Sequence, residues 1–264
     1  MQLAGSAIAV PLQLHVLESG KPYTLKSTFY HPKGNGPFPL VVLNHGAPTD
    51  YAKVADQFTT FARQSDWFVA QGYAVLVPNR RGYGGSTGPF AEGTSACDHP
   101  DFTRAAAASA RDVVAAMDAM RDEPRVDTNR VIFAGVSAGG FASLAAGAME
   151  PAGLAGIINI DGGRGSLGSG RNCDPAQLVT VSGTFGATTT VPSLWMYAAN
   201  DHRFDTTLAR QMFDAYERDK KSGRDTFAIL SPSGTEGHYL FETASAMESW
   251  TPVASEFLKR VVPL

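Results

Sequence analysis

The pattern Gly135-Val136-Ser137-Ala138-Gly139 leaves this chain of 264 residues little choice of architecture around it. Before it runs Arg130-Val131-Ile132-Phe133-Ala134, short, apolar and rich in β-branched residues, which reads as a buried strand. After it, beyond a further glycine at Gly140, Phe141 to Met149 is compatible with a helix. Gly-x-Ser-x-Gly between a strand and a helix is the nucleophile-elbow pattern, a turn so sharp that the serine backbone is strained and its near neighbours must be small. Gly135 and Gly139 carry no Cβ to obstruct such a turn. The turn would lift the Ser137 hydroxyl clear of the sheet and aim the Ala138 N–H at the place where an oxyanion forms. The plainer reading is a tight turn whose serine only caps the helix. The rest of the chain decides between the two.

Taken in order, Ile8 to Leu17 and Tyr23 to Tyr30 read as strands, and His31 to Pro37 as a turn. Leu40-Val41-Val42-Leu43 is a short, wholly apolar strand running into Asn44-His45-Gly46-Ala47-Pro48. A strand ending in His-Gly upstream of an elbow is where hydrolases of this type carry a second oxyanion donor, here the Ala47 N–H. His45 itself is expected to be a loop histidine bonded to backbone. Phe58, Phe61, Ser65 and Phe68 follow helical spacing up to a stop near Gly72, and Tyr73 to Val77 is the next strand. Asn79 to Ser86 is rich in glycine, yet without a Walker lysine or an immediately following helix it is no phosphate cradle, and Arg81 is expected to anchor the loop. Asp101 caps a helix from Phe102 to Met120 with Val113, Met117 and Met120 inward. After the elbow helix, the strand Gly156 to Ile160 ends at Asp161. Residues 165 to 190 are small, polar and without clear period, so residues 162–190 read as a loop cover over the site and not as a separate domain. The strand Ser193 to Tyr197 leads to Asn200-Asp201-His202-Arg203-Phe204-Asp205, and Leu208, Met212 and Tyr216 mark a helix. Thr226 to Leu230 is the last strand, and the loop after it carries His238. Thr251-Pro252 reads as the cap and first residue of a closing helix with Val253, Phe257 and Val261 inward.

Strand and helix alternate through most of the chain, which predicts an α/β fold: a mostly parallel, doubly wound sheet with antiparallel strands at its start and helices on both faces, residues 1–264 forming one domain. In such sheets sites gather at the C-terminal ends of the strands. Ala47, Ser137, Asp161, Asp201 and His238 all fall there. A serine hydroxyl is a poor nucleophile at neutral pH unless a base takes its proton and a third group orients the base. His238 is that base by position, since His15 and His31 precede the core and His99 and His202 lie in loops. Asp201 is the acid by position. Asp205 is expected to cap the following helix, while Asp161 remains a second carboxylate within possible reach of the histidine. Asp161 and Asp201 working as a carboxylate pair on a sugar would leave the elbow unexplained.

Composition narrows the field. A net charge of −3 with no basic patch excludes a nucleic-acid footprint. No apolar run approaches the roughly 20 residues that span a bilayer. Met1 to Val10 is apolar but lacks a basic leading segment, so it is not an intact signal peptide. The 18% of charged residues and the scarcity of lysine favour a secreted or periplasmic protein over a cytoplasmic one. Cys97 and Cys173 both fall in loops and match no metal-ligand spacing. They are either free thiols or a disulfide between two loops on the site's face, which would imply an oxidising compartment.

Together, Gly-Val-Ser-Ala-Gly-Gly, the early His-Gly, Arg-Arg-Gly-Tyr-Gly-Gly-Ser, Ala-Asn-Asp-His and Gly-His-Tyr resemble the α/β-hydrolase superfamily, from about Leu25 to the C-terminus. Within it the chain is similar to dienelactone-hydrolase-like proteins and to the catalytic domain of prolyl-oligopeptidase-type enzymes. The resemblance implies a Ser137–Asp201–His238 triad, backbone oxyanion donors at Ala47 and Ala138, and no cofactor. The chain departs from dienelactone hydrolase in having serine where that enzyme has cysteine, and its 264 residues hold no propeller. The expected function is a serine carboxylic-ester hydrolase acting on short-acyl or aromatic esters of small molecules or carbohydrates. A small-peptide hydrolase with the same triad would need an anchor for the peptide amine, and no glutamate pair stands out. A binding protein that kept the hydrolase fold is the reading from another class.

Overall fold

The computed structural model describes residues 7–218, 220 and 224–264, so most of the N-terminal stretch read against a signal peptide lies outside the described residues. Strands β1 (Ile8–Glu18) and β2 (Lys21–His31) form an antiparallel hairpin. Then come β3 (Phe38–Asn44), α1 (Ala62–Ala70), β4 (Ala74–Pro78), α2 (Phe102–Asp118), β5 (Val126–Val136), α3 (Ala138–Gly147) and β6 (Leu154–Ile160). A short antiparallel pair, β7 (Ser166–Gly168) and β8 (Arg171–Asn172), precedes α4 (Pro175–Thr188), β9 (Ser193–Ala198), α5 (Thr206–Arg218), β10 (Thr226–Leu230) and α6 (Met247–Val261). Eight strands make one sheet in the order β1-β2-β4-β3-β5-β6-β9-β10, parallel from β4 to β10.

The period of two along each strand divides the core into two layers. Leu40 and Val42 of β3 face α2, α3, α4 and α5, while Val41 and Leu43 face α1 and α6. Strands covered on both faces must be apolar throughout, which is why β3, β4 and the end of β5 read as continuous runs. Among the described residues no helix is long and apolar enough to cross a membrane.

Three expectations need correction. Residues 162–190 are not simply a loop cover, because Pro175–Thr188 is a regular helix whose Leu178, Val181 and Phe185 are buried in the core. Its serines, threonines and glycines hid it, since all have poor helix propensity. Here the hydroxyls bond back within the helix, Thr180 to Ala176 O at 3.0 Å and Ser182 to Leu178 O at 2.9 Å, and the small residues let α5 approach. The closing helix begins at Met247 and not at Thr251, so Pro252 lies inside it on the exposed side. The fully buried Trp250 holds the preceding turn in place. Helix α1 begins at Ala62, not near Phe58, because Asn79 binds both backbone groups of Thr59 (2.8 and 3.1 Å) and keeps that stretch out of the helix.

Candidate active site

Ser137 ends β5 and starts α3 with φ +55° and ψ −124°, a conformation that costs a non-glycine residue energy. Three backbone bonds enforce it. The Ser137 N–H donates to Ile160 O (3.0 Å), and the Ser137 carbonyl accepts from Phe141 N–H and Gly163 N–H (both 3.1 Å). The flanking glycines serve neighbouring backbone more than the serine itself. A methyl group at Gly135 would run into the Gly139 carbonyl, and one at Gly139 into the carbonyl oxygens of Asn44 and His45. The elbow is therefore wedged against the end of β3.

The loops after β9 and β10 are joined by hydrogen bonds. Gly237 N–H donates to Asn200 O (3.0 Å), Ser233 N–H to Asn200 Oδ1 (2.8 Å), and Glu236 Oε1 accepts from His202 N–H and His238 N–H (3.0 and 3.2 Å). They deliver His238 to Asp201 and Ser137, residues remote in sequence. The His238 Nδ1–H donates to Asp201 Oδ2 (3.0 Å), which leaves Nε2 to accept from the Ser137 hydroxyl (3.0 Å). Asp201 Oδ1 accepts from Arg203 N–H and Phe204 N–H (2.7 and 3.0 Å). His238 is 5% exposed and Asp201 2%, so this chain of bonds is shielded from water except at the serine.

The other expected residues also find places. Ala47 and Ala138 both border the space beside Ser137, and among the described residues neither N–H donates to a protein acceptor. Asp205 caps α5, its Oδ1 accepting from Thr207 and Leu208 N–H. His202 is exposed at the surface. Asp161 does not reach the histidine and accepts instead from Ala198 N–H (3.0 Å), one turn of chain before Asp201. Arg81 anchors its loop through Asp112 and Glu18.

His45 is structural: its Nδ1–H donates to Gly46 O (2.7 Å) and its Nε2 accepts from Arg80 N–H (3.2 Å). Beneath it the Glu92 carboxylate binds the Arg80 guanidinium and, at 3.0 Å, that of Arg164, all three buried. No sequence signal marks Glu92, a lone carboxylate in an irregular stretch. Burial, then the Arg80 charge, push His45 down to about 3. Burial alone would raise Glu92, but Arg80 and Arg164 hold it down at about 2. Both folded values lie below the unfolded ones, so on acidification the unfolded chain takes up protons first. The stability these groups contribute is complete above pH 6.5, the ordinary value for His45, and is lost as pH falls from 6.5 through about 3 for His45 and from 4.5 through about 2 for Glu92. The urea midpoint should fall across this acid range, and His45→Gln should flatten the upper part of the fall.

Two cavities meet at Ser137, Ala47 and Arg203. One of about 200 Å³ extends past Ala138, Gly165, Leu167 and Phe204. The other, about 350 Å³, extends past Gln57, His238 and Tyr239. Cys97 and Cys173 form a disulfide, Cα–Cα 4.9 Å, in the wall of the smaller cavity. It closes 76 residues of chain. Replacing both cysteines with serine should lower unfolding free energy by about 4 kcal/mol, read from urea curves. It should also relax selectivity for the group held in the smaller cavity.

Residues 21–166, more than half of the chain, match the family model described as X-Pro dipeptidyl-peptidase (S15 family). The chain belongs to the S15 family. The match to the S15 model takes in Ala47, Ser137 and Ala138 and ends before Asp201 and His238. No curated protein matches the chain significantly. Among solved structures, this S15 chain is similar to a Mycobacterium tuberculosis puromycin-hydrolyzing peptidase (16% identity, TM-score 0.65, 97% of this chain and 39% of that one). It is similar to the Pyrococcus horikoshii acylaminoacyl peptidase (14%, TM-score 0.67, 98% and 42%). It is similar also to an acetyl xylan esterase from Paenibacillus sp. R4 (13%, TM-score 0.63, 97% and 89%). The chain spans about two-fifths of the length of the two peptidases. These likenesses establish the α/β-hydrolase fold.

Proposed function

We propose that this chain is a serine carboxylic-ester hydrolase working through an acyl-enzyme, with Ser137 as nucleophile, His238 as base and Asp201 as its orienting acid. The observation that carries the proposal is the unbroken chain of hydrogen bonds from Ser137 Oγ through His238 to Asp201, each 3.0 Å. As Ser137 Oγ bonds to the acyl carbon, its proton passes to His238 Nε2, and Asp201 balances the imidazolium. The carbonyl oxygen, now negative, faces the Ala47 and Ala138 N–H groups. Collapse breaks the ester C–O bond while Nε2–H protonates the departing alkoxide. Water, deprotonated by the same nitrogen, then attacks the acyl-enzyme, and collapse returns the proton to Ser137 and releases the acid. The leaving alcohol must lie on the His238 side, in the larger cavity, so the acyl group takes the smaller one. A volume of about 200 Å³ favours short acyl or aromatic acyl groups.

Peptide hydrolysis is the second reading, favoured by the family match. Asp50 and Glu242 line the larger cavity and could face a peptide ammonium, but Lys53 and Arg203 share that lining and offset their charge. A p-nitrophenyl ester series from acetate to laurate, run beside X-Pro p-nitroanilides, separates the readings. Turnover of acetate that falls with acyl length, exceeding anilide turnover, supports the ester reading. Faster anilide turnover overturns it in favour of peptides.

A further inference from the structure

Asp161 is a buried carboxyl at this site that the mechanism above leaves unused and that has no cationic partner among the described residues. It follows β6 in the left-handed region, φ +44°, held by its N–H to Met196 O (2.8 Å). It is completely buried. One carboxyl oxygen accepts from Ala198 N–H (3.0 Å), and the other, Oδ2, has no donor among the described residues. Ala198 ties the two acids together, its N–H donating to Asp161 and its carbonyl oxygen accepting from Asp201 N–H (3.0 Å), so that the orphaned Oδ2 of Asp161 lies in the same buried space as the Asp201 carboxylate.

Two bare carboxylates in contact in a dry interior repel strongly, so one must keep a proton. The donor count decides which. Asp201 receives three N–H groups, from Arg203, Phe204 and His238, and is built to carry the charge. Asp161 receives one. We infer that Asp161 is a protonated carboxylic acid whose O–H donates to the Asp201 carboxylate, a positioning residue that extends the Ser137–His238–Asp201 chain by one member. The inference rests on the role proposed for Asp201.

Burial, then the charge of Asp201, push Asp161 well above the usual carboxylate range. The other titratable groups facing the pair are Glu236, His238 and Tyr197. Glu236 is ionised and adds negative charge, while the Tyr197 hydroxyl donates to Gly162 O (2.7 Å) and is not spent on Asp161. In the reaction the Asp161 proton does not move. It spreads the charge of Asp201, so the Nδ1 proton stays on the imidazole as His238 becomes positive, and it holds the carboxylate in the plane His238 needs.

The test compares three chains. Asp161→Asn keeps a neutral donor of the same shape, so kcat and the acid limb of the kcat/KM profile should stay close to wild type. Asp161→Ala removes the donor, and kcat should fall about tenfold with little change in KM, the acid limb moving to higher pH because Asp201 then holds its full charge. An acid limb in Asp161→Asn displaced downward by about one unit or more would mean that a negative charge had been lost, and would overturn the proposal. Unchanged kinetics in Asp161→Ala would overturn it as well. Infrared difference spectra keep the proposal testable if Asp161→Ala does not fold. The carbonyl stretch of a protonated carboxylic acid should be present in the wild type at neutral pH and lost in Asp161→Asn, and its absence from the wild type would overturn the assignment. Activity surviving in Ser137→Ala would refute the nucleophile instead, leaving the infrared result to decide on Asp161 by itself.

Discussion

Replacing Ser137 with alanine should lower ester turnover by about 10⁵-fold, and His238→Ala should do about the same, because the two act as one unit. The magnitude follows from geometry. Among the described residues the only proton acceptor on the Ser137 hydroxyl is His238 Nε2, so neither residue retains a function without the other. The double variant should therefore lose no more than either single one. A fluorophosphonate should label the wild type covalently at Ser137 and leave Ser137→Ala unlabelled. Thermal melting should be nearly unchanged in Ser137→Ala, since its backbone is held by main-chain partners that alanine retains. Labelling that persists in Ser137→Ala would remove the serine from the mechanism.

Gly139→Ala should destabilise the fold strongly, costing about 3 kcal/mol or more. The added methyl would meet two main-chain carbonyl oxygens, Asn44 and His45, and not the tip of a flexible side chain. Neither carbonyl can swing away. Asn44 lies opposite Gly135 in the ladder between β3 and β5, and its amide donates to Ala134 O (3.1 Å) and Ser143 Oγ (3.0 Å). His45 O accepts from Arg80 (2.9 Å). The strain must open the contact between β3 and α3, which also carries the two N–H groups proposed for the oxyanion. Gly139→Ala should thus lose activity together with several degrees of melting temperature, in contrast to Ser137→Ala.

Much of this was legible in the residues themselves. Continuous apolar runs identify strands such as Leu40–Leu43 because covering by helices on both faces leaves a strand no polar side. The position of His238 follows from chemistry, since among six histidines it alone comes after the last strand. Helix α4 was illegible because its identity depends on the neighbour it packs against: Gly186 is small so that α5 can come close, a fact absent from local propensity. The placement of Thr251-Pro252 failed for a related reason, as the burial of Trp250 outweighs a good local cap. Glu92 and the contact between Asp161 and Asp201 join segments far apart in sequence, and no spacing rule reports such meetings. Asp161 could be singled out as a carboxylate at the right sheet edge, but not as the partner of the acid.

The disulfide has a consequence for how such a chain can change. The groups aligned at Ser137 stand on strand ends and are fixed by main-chain bonds, whereas one wall of the smaller cavity comes from the stretch around Thr94–Cys97 and from Gly165–Cys173, both outside the eight-stranded sheet. A covalent link fastens these two stretches to each other. Part of what selects the acyl group thus stands apart from the reacting atoms. Exchanging the stapled pair as a cassette, with its cysteines retained, should rewrite which acyl groups enter while the reacting atoms keep their alignment.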